Sequence, residues 1–189
     1  MVTFLLNGEV VNAEVKSSDT LLNFLRDVKE LAGTKEGCNE GDCGACSVIV
    51  TDTTGKAKTT NSCITLMPQI HGKAVRTVEG ISGPDGSLHP IQKSIVKNHG
   101  SQCGFCTPGF ISTLAAAHKN GESDFENQLA GNLCRCTGYG PIIQSAKDTL
   151  GQPVPVWMNE NLEKLKDITF PNNVPQSIED LATLYKDNP

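Results

Sequence analysis

The sequence predicts an α+β protein, in which a small mixed sheet over residues 1–80 precedes a bundle of four short helices over residues 81–151. Three observations support this division. The first part holds short apolar runs separated by turn residues, as strands do. The second part carries helix start and stop signals at short intervals. Eight cysteines fall into two groups of four, one in each part.

The chain begins with a predicted β-hairpin over residues 2–15. Its two apolar segments flank Asn7 and Gly8, and Asn-Gly is the strongest short signal for a hairpin turn. A helix is expected next in "DTLLNFLRDV", where apolar residues recur at helical spacing and either Asp19 or Thr20 can cap the N-terminus. One helix is therefore expected to pack on the sheet.

Two further strands complete the sheet. A glycine-rich loop leads into "CSVIVTD", which has the apolar and β-branched composition of a strand. The residues "TTGK" at 53–56 turn the chain, and "GKAVRTVEG" at 72–80 predicts another strand. Residues 1–80 thus form the predicted first domain.

Four helices follow, each with a local start signal. Ser87 is the predicted cap of the first helix and Thr107 of the second. Ser123 and Glu126 form a capping box for the third, and Pro141 begins the fourth. The stop signals are Gly100, Gly121 and Gly151. Short helices joined by short loops predict a bundle.

Residues 152–189 are predicted to be a linker and the start of a further domain that the chain lacks. Residues 152–174 are rich in proline and asparagine, and Trp157 is expected to anchor this linker on the two domains. The amphipathic stretch "IEDLATLYKDNP" follows, with nothing after it to cover its apolar face.

Charge and hydropathy limit the classes of partner. The net charge is -5 and no basic face is apparent, which argues against nucleic acid. No apolar run is long enough to span a bilayer, and "MVTFLLNGEVV" is typical of a strand rather than a secretory signal. The expected location is the cytoplasm, where reducing conditions disfavour disulfides. Grouped cysteines there indicate metal binding.

The first cysteine group has the spacing C-x4-C-x2-C followed by one distant cysteine. Its members are Cys38, Cys43, Cys46 and Cys63. This is the spacing of plant-type [2Fe-2S] ligation, whereas a zinc site usually combines two short two-cysteine motifs. Gly37, Gly41 and Gly44 are expected to permit positive φ and close backbone approach, so that the loop can curl with its amides towards the sulfurs. The first group therefore predicts a [2Fe-2S] cluster.

The second group combines C-x-x-C with C-x-C. Its members are Cys103, Cys106, Cys134 and Cys136. Cys106 immediately precedes one predicted helix and Cys136 lies shortly before another. Helix N-termini stabilise thiolates and anionic clusters. The spacing alone leaves zinc and [2Fe-2S] open at this site.

Four motifs in order, "EGCNEGDCGACSV", "NSCITLMPQIHGKAVRTVEGI", "QCGFCTPGF" and "NLCRCTGYGPI", closely resemble the iron-sulfur part of the xanthine dehydrogenase and aldehyde oxidase family of molybdenum hydroxylases. The resemblance covers residues 1 to about 151 and includes all eight cysteines. It implies a β-grasp ferredoxin-like [2Fe-2S] domain over residues 1–80, followed by a four-helix-bundle [2Fe-2S] domain over residues 81–151. It also implies that the cysteines of both groups are the cluster ligands.

The resemblance further implies partners. Gln102 and Cys136 match residues that lie against the pterin of a molybdenum cofactor, which a separate large subunit or domain holds. The stretch "VPQSIEDLATLYKDNP" resembles the opening of the family's FAD-binding domain. The chain is thus expected to be an electron-transfer subunit of a hetero-oligomer, which relays electrons from the molybdenum cofactor to FAD and performs no substrate chemistry itself.

Three alternatives stay open at this point. The complex could be an aldehyde oxidoreductase or another hydroxylase of the same family rather than a xanthine dehydrogenase. The chain could be a free-standing ferredoxin-like carrier. It could also be a zinc-stabilised interaction module.

Overall fold

A computed structural model describes residues 1–160, 162–168 and 177–187. The predicted linker and domain start at 152–189 therefore lie partly outside the described residues, at positions 161, 169–176 and 188–189. Of the helices within the described ranges, none has the length and hydropathy needed to cross a bilayer.

A five-stranded mixed sheet forms the first domain. Its strands are β1 (Val2–Leu6), β2 (Glu9–Ala13), β3 (Ser47–Thr51), β4 (Ala57–Asn61) and β5 (Ala74–Arg76). The order is β2-β1-β5-β3-β4, with β1 and β5 parallel and the other neighbours antiparallel. The predicted hairpin is confirmed, since β1 pairs with β2 across Asn7 and Gly8. Strand β4 was not predicted, because its sequence, AKTTN, is mostly polar and lacks the apolar residues of a buried strand. It lies at the edge of the sheet, where most of its residues are at least partly exposed.

One short helix packs on this sheet, as expected. Helix α1 (Leu21–Asn23) is capped by the Thr20 side chain and continues as a π-helical turn over Phe24–Val28. The Phe24 ring meets the Phe4 ring of β1 edge-on, with centroids 5.9 Å apart. The predicted β-grasp, ferredoxin-like arrangement of an α+β fold is therefore confirmed.

The second domain contains the four predicted helices. They are α2 (Pro90–Lys97), α3 (Thr107–Asn120), α4 (Phe125–Gln128) and α5 (Gly140–Lys147). Their predicted start residues need correction. His89 rather than Ser87 caps α2, because its Nδ1 accepts from the Ile91 amide. Asp124 rather than Ser123 caps α4.

Helix α3 likewise begins one residue earlier than predicted. Cys106 occupies the cap position without a side-chain hydrogen bond, and the Thr107 hydroxyl bonds the Ser101 hydroxyl at 2.8 Å. The predicted stop is confirmed, because Gly121 ends the helix with a left-handed φ of 70°.

The two domains share one core. Helix α3 lies against β3 and β4, so that Phe110 and Leu114 pack with Ile49 and Ala57. At the N-terminal end of α3 the backbones meet directly, since a Cβ at Gly109 would lie 2.2 Å from the carbonyl oxygen of Gly44. This contact brings the first cysteine loop against the helical domain.

The described part of the linker packs across both domains. Trp157 donates from its indole nitrogen to the Ile81 carbonyl at 3.1 Å, which confirms its expected anchoring role. Glu160 forms a buried ion pair with Arg76 of β5 at 2.8 Å. In helix α6 (Leu162–Lys166), Leu165 is buried in a cluster with residues of β1 and β5. In helix α7 (Ile178–Asp187), Ile178 remains exposed.

Candidate metal centres

The loop that carries the first three cysteines curls through positive φ values. Asn39, Gly41 and Gly44 have φ of 57°, 84° and 70°. Of the two roles expected for these glycines, Gly37 does not show positive φ. Instead, a Cβ at Gly37 would lie 2.7 Å from the sulfur of Cys43. Gly37 is therefore required for close approach rather than for backbone conformation.

Backbone amides of this loop point at the sulfurs. The Asp42 and Cys43 amides each donate to Cys38 Sγ at 3.3 Å, and the Cys38 amide donates to Cys43 Sγ at 3.4 Å. Hydrogen bonds from the backbone of Cys43, and next from that of Glu40, lower the pKa of the Cys38 thiol to about 7. The loop thus favours the thiolate, which is the metal-binding form.

The other two cysteines of the first group lie deeper. Cys46 and Cys63 are buried and pack with Leu22 of α1. Burial, and next the neighbouring Cys46 thiol within hydrogen-bonding reach, raise the pKa of Cys63 to about 12. A metal at this position would have to displace the proton from a thiol that otherwise holds it.

The second group consists of an exposed pair and a more buried pair. Cys103 and Cys136 are exposed, and the Phe105 amide followed by the Cys136 side chain lower the pKa of Cys103. Cys106 and Cys134 lie further inside. Burial, followed by the Cys134 side chain, raises the pKa of Cys106 to about 12. The loop before α3 and the loop before α5 supply one cysteine to each pair.

Cys134 has the most hydrogen-bond donors around it in this group. Burial opposes its ionisation, but bonds from the Thr137 hydroxyl and from the Thr137 and Cys136 amides outweigh burial and lower its pKa. Thr137 Oγ1 lies 3.1 Å from Cys134 Sγ. The Cys134 amide donates to the Tyr139 hydroxyl at 2.9 Å.

The side-chain neighbours within each group therefore form two pairs. The pairs are Cys38 with Cys43, Cys46 with Cys63, Cys103 with Cys136, and Cys106 with Cys134. All eight thiols are free of disulfides. A [2Fe-2S] cluster needs two thiolates at each of two irons. The two cysteine pairs of each group fit this requirement.

A hydrogen-bonded bridge connects the two groups. The Leu133 amide, next to Cys134, donates to the carbonyl of Cys43 at 2.9 Å. The buried Asn132 side chain donates to the Gly44 carbonyl at 3.1 Å and accepts from the Thr113 hydroxyl at 2.9 Å. Sequence reasoning did not find this bridge, because its partners lie far apart in the chain and carry no metal-binding pattern.

The two residues expected to contact a pterin lie at the surface. Gln102 and Cys136 are both exposed. Phe105, in the same loop as Gln102, is 48% exposed. The second group thus has an open, partly apolar side at Cys103 and Cys136.

Comparisons with known proteins agree with this geometry. Residues 4–68 match the family described as "2Fe-2S iron-sulfur cluster binding domain", and residues 77–147 match "[2Fe-2S] binding domain". Over 157 residues, 78% of the chain, it is 45% identical to a xanthine dehydrogenase from Drosophila subobscura. Over 160 residues, 79% of the chain, it is 42% identical to aldehyde oxidase 2 from Mus musculus.

Solved structures give the same result. A chain of quinoline 2-oxidoreductase from Pseudomonas putida 86 is 32% identical and superposes with a TM-score of 0.68, over 87% of this chain and 94% of that one. The chain belongs to the xanthine dehydrogenase and aldehyde oxidase family. It corresponds to the family's iron-sulfur region and carries two [2Fe-2S] binding domains. It also resembles the aldehyde oxidoreductase from Desulfovibrio gigas, with 36% identity and a TM-score of 0.71, over 79% of this chain and 17% of that one.

The matched xanthine dehydrogenase and aldehyde oxidase are much longer than the chain. The chain spans 12% of the length of the xanthine dehydrogenase and of the aldehyde oxidase that it matches. The iron-sulfur region is thus a small part of these two relatives, whereas it makes up nearly all of the matched quinoline 2-oxidoreductase chain.

Proposed function

We propose that the chain is the electron-transfer component of a molybdenum hydroxylase of the xanthine dehydrogenase type. The observation that carries this proposal is the bridge from Leu133 to Cys43, which connects the two cysteine groups by one hydrogen bond of 2.9 Å. Two redox groups joined in this way would form a relay, whereas two unrelated structural sites would need no such connection.

The cysteine pairs would divide the ligation of each cluster. In the first domain, Cys38 and Cys43 would hold one iron and Cys46 with Cys63 the other. When bound, a [2Fe-2S] cluster supplies one-electron oxidation and reduction. The amides of Asp42 and Cys43, which donate to Cys38, would stabilise negative charge on the sulfurs of this domain.

The second domain would be arranged in the same way. Cys103 and Cys136 would hold one iron at the exposed side, and Cys106 with Cys134 would hold the other, closer to the first domain. The exposure of Cys136 and Gln102 suits contact with a molybdenum-pterin cofactor held by a large partner subunit or domain. The chain would receive electrons there and release them from the first domain to FAD on a further domain or subunit, within a hetero-oligomer.

Exposed apolar side chains favour a docked subunit over a free-standing carrier. Phe105 and Leu133, beside the second cysteine group, are 48% and 49% exposed. Ile64, next to Cys63 of the first group, is 58% exposed. Apolar side chains at both cysteine groups are suited to partner surfaces. Eight free thiols also suit the cytoplasm, where we place the protein.

Metal analysis and electron paramagnetic resonance (EPR) of the anaerobically purified chain test this proposal. We expect about four irons and about four sulfides per chain, because each cluster contains two of each, and two distinct EPR signals after reduction. Cys38→Ala should remove one signal and Cys103→Ala the other, so that each variant controls for the other. Zinc in place of iron at the second group would contradict the relay. A loaded chain that binds no molybdenum-containing large subunit would contradict the subunit role alone.

A further inference from the structure

Thr137 is hydrogen-bonded on both sides beside the second cysteine group. Its Oγ1 lies 3.1 Å from Cys134 Sγ and accepts a hydrogen bond from the Tyr139 amide at 3.2 Å. A hydroxyl has one proton to donate, and the bond from Tyr139 uses a lone pair rather than that proton. The proton is therefore available to the sulfur, which as a thiolate can only accept.

The position of this hydroxyl is fixed by Tyr139. Tyr139 has a left-handed φ of 67°, and its amide donates to the Thr137 hydroxyl at 3.2 Å. Its ring packs edge-on against Phe110, with centroids 6.2 Å apart, and its hydroxyl accepts from the Cys134 amide at 2.9 Å. Thr137 and Tyr139 thus hold Cys134 by its side chain and by its backbone.

The first cysteine group has a different set of donors. Cys38 Sγ accepts from the amides of Asp42 and Cys43, and Cys43 Sγ accepts from the amide of Cys38. These donors are main-chain groups, which a side-chain substitution leaves in place. In the described part of the chain, Thr137 supplies the one hydroxyl bonded to a cysteine sulfur of either group.

We infer that Thr137 is a positioning residue that raises the reduction potential of the helical-domain cluster by donating its hydroxyl proton to Cys134 Sγ. A hydrogen bond to a ligating sulfur stabilises the reduced, more negative state of a cluster and so raises its potential. This inference rests on the proposed function, in which Cys134 is a cluster ligand. It goes beyond that function because it assigns an effect on the reduction potential of one cluster to one side chain.

Redox titration of the loaded chain, followed by EPR of each cluster, tests the inference. Thr137→Val keeps the shape of the side chain and removes the hydroxyl, whereas Thr137→Ser keeps the hydroxyl. We expect Thr137→Val to shift the one-electron equilibrium of the second cluster roughly tenfold towards the oxidised form, a decrease of about 59 mV. Thr137→Ser should retain the potential of the unsubstituted chain. The first cluster provides an internal control that should not move in either variant.

Three outcomes would overturn the inference. The first is an unchanged second-cluster potential in Thr137→Val, and the second is an equal shift of both clusters. The third is that Thr137→Ser loads iron while neither Thr137→Val nor Thr137→Ala does, because the hydroxyl would then be needed for assembly rather than for potential. Failure of the proposed function is distinguishable, because the unsubstituted chain itself would then lack the second iron-sulfur signal.

Discussion

The amide of Leu133 and the carbonyl of Cys43 are joined by a hydrogen bond of 2.9 Å, which places the segment before Cys134 directly on the first cysteine loop. Asn132 strengthens this junction. It is 3% exposed, and its amide group bonds Gly44, Ser47 and Thr113. The geometry between the two cysteine groups therefore depends on a few polar contacts inside a largely apolar interface.

Asn132→Ala should destabilise the loaded protein by about 1–3 kcal/mol, because it leaves the buried Gly44 carbonyl without its side-chain donor. Chemical denaturation at neutral pH measures this loss. Asn12→Ala is the matched control. Asn12 is exposed on β2 and its side chain accepts from the Thr3 hydroxyl, so its removal should change stability by less than about 0.5 kcal/mol. Equal losses in both variants would contradict a special role for Asn132.

Gly109→Ala should lower the free energy of unfolding by about 1–3 kcal/mol through overpacking, because its Cβ would lie 2.2 Å from the Gly44 carbonyl oxygen. This result would be opposite to helix propensity, which favours alanine over glycine by about 1 kcal/mol. Gly131→Ala is the control, since a Cβ there meets nothing within 4 Å. Thermal denaturation measures the stability of the two variants. A Gly109→Ala variant more stable than the unsubstituted chain would show that the interface is less tightly packed than the structure indicates.

Glu160→Gln should lower the free energy of unfolding by about 3–5 kcal/mol, because it leaves the buried Arg76 guanidinium without its counter-charge. The side chains of Arg76 and Glu160 are 7% and 3% exposed, and their ion pair measures 2.8 Å. The exposed pair of Lys166 and Glu163, also 2.8 Å, offers the control Glu163→Gln, for which we expect less than about 1 kcal/mol. Urea titrations at low and high salt measure both. A loss that salt abolishes would indicate that the Arg76 pair is solvated.

Stability should fall with acid below neutral pH because of His89. Burial, then the neighbouring His118, then Arg76, lower the pKa of His89 to about 3, whereas an unfolded histidine titrates near 6.5. The unfolded chain thus binds the proton first as the pH falls. The resulting loss of stability is absent above pH about 7 and grows below about 6.5 until the folded pKa is reached.

His89→Asn tests this pH dependence while keeping a side-chain acceptor for the Ile91 amide. Between pH 7.5 and 5.5, the unsubstituted chain should lose about 1.4 kcal/mol relative to the variant. His99→Asn, at an exposed position, should keep the pH dependence of the unsubstituted chain. Denaturation curves at both pH values measure the free energy of unfolding of the three proteins. Equal changes between the two pH values in all three would show that His89 takes up its proton in the folded chain as readily as in the unfolded one.

The features that sequence could predict are those with a local signal. Ligand spacing and the Asn7-Gly8 turn depend on neighbouring residues, so the two cysteine groups and the hairpin were predictable. The hydrogen bond from the Asn132 side-chain amide to the Gly44 carbonyl spans 88 positions of the sequence. No local sequence pattern predicts a contact of this kind. The same applies to His89, which caps α2 in place of Ser87 because tertiary packing encloses its ring next to His118.

The approach of Gly44 to Gly109 has a consequence for how this region can diversify. Because the two domains meet here through main-chain atoms of two glycines, and the buried Asn132 bonds the same Gly44 carbonyl, the spacing between the cysteine groups is set by residues away from the outer surface. The exposed side chains around Phe105 and Ile64 are free to change without altering that spacing. One electron relay of fixed dimensions could therefore serve complexes with different outer surfaces, since adaptation to a new partner would leave the internal distance intact.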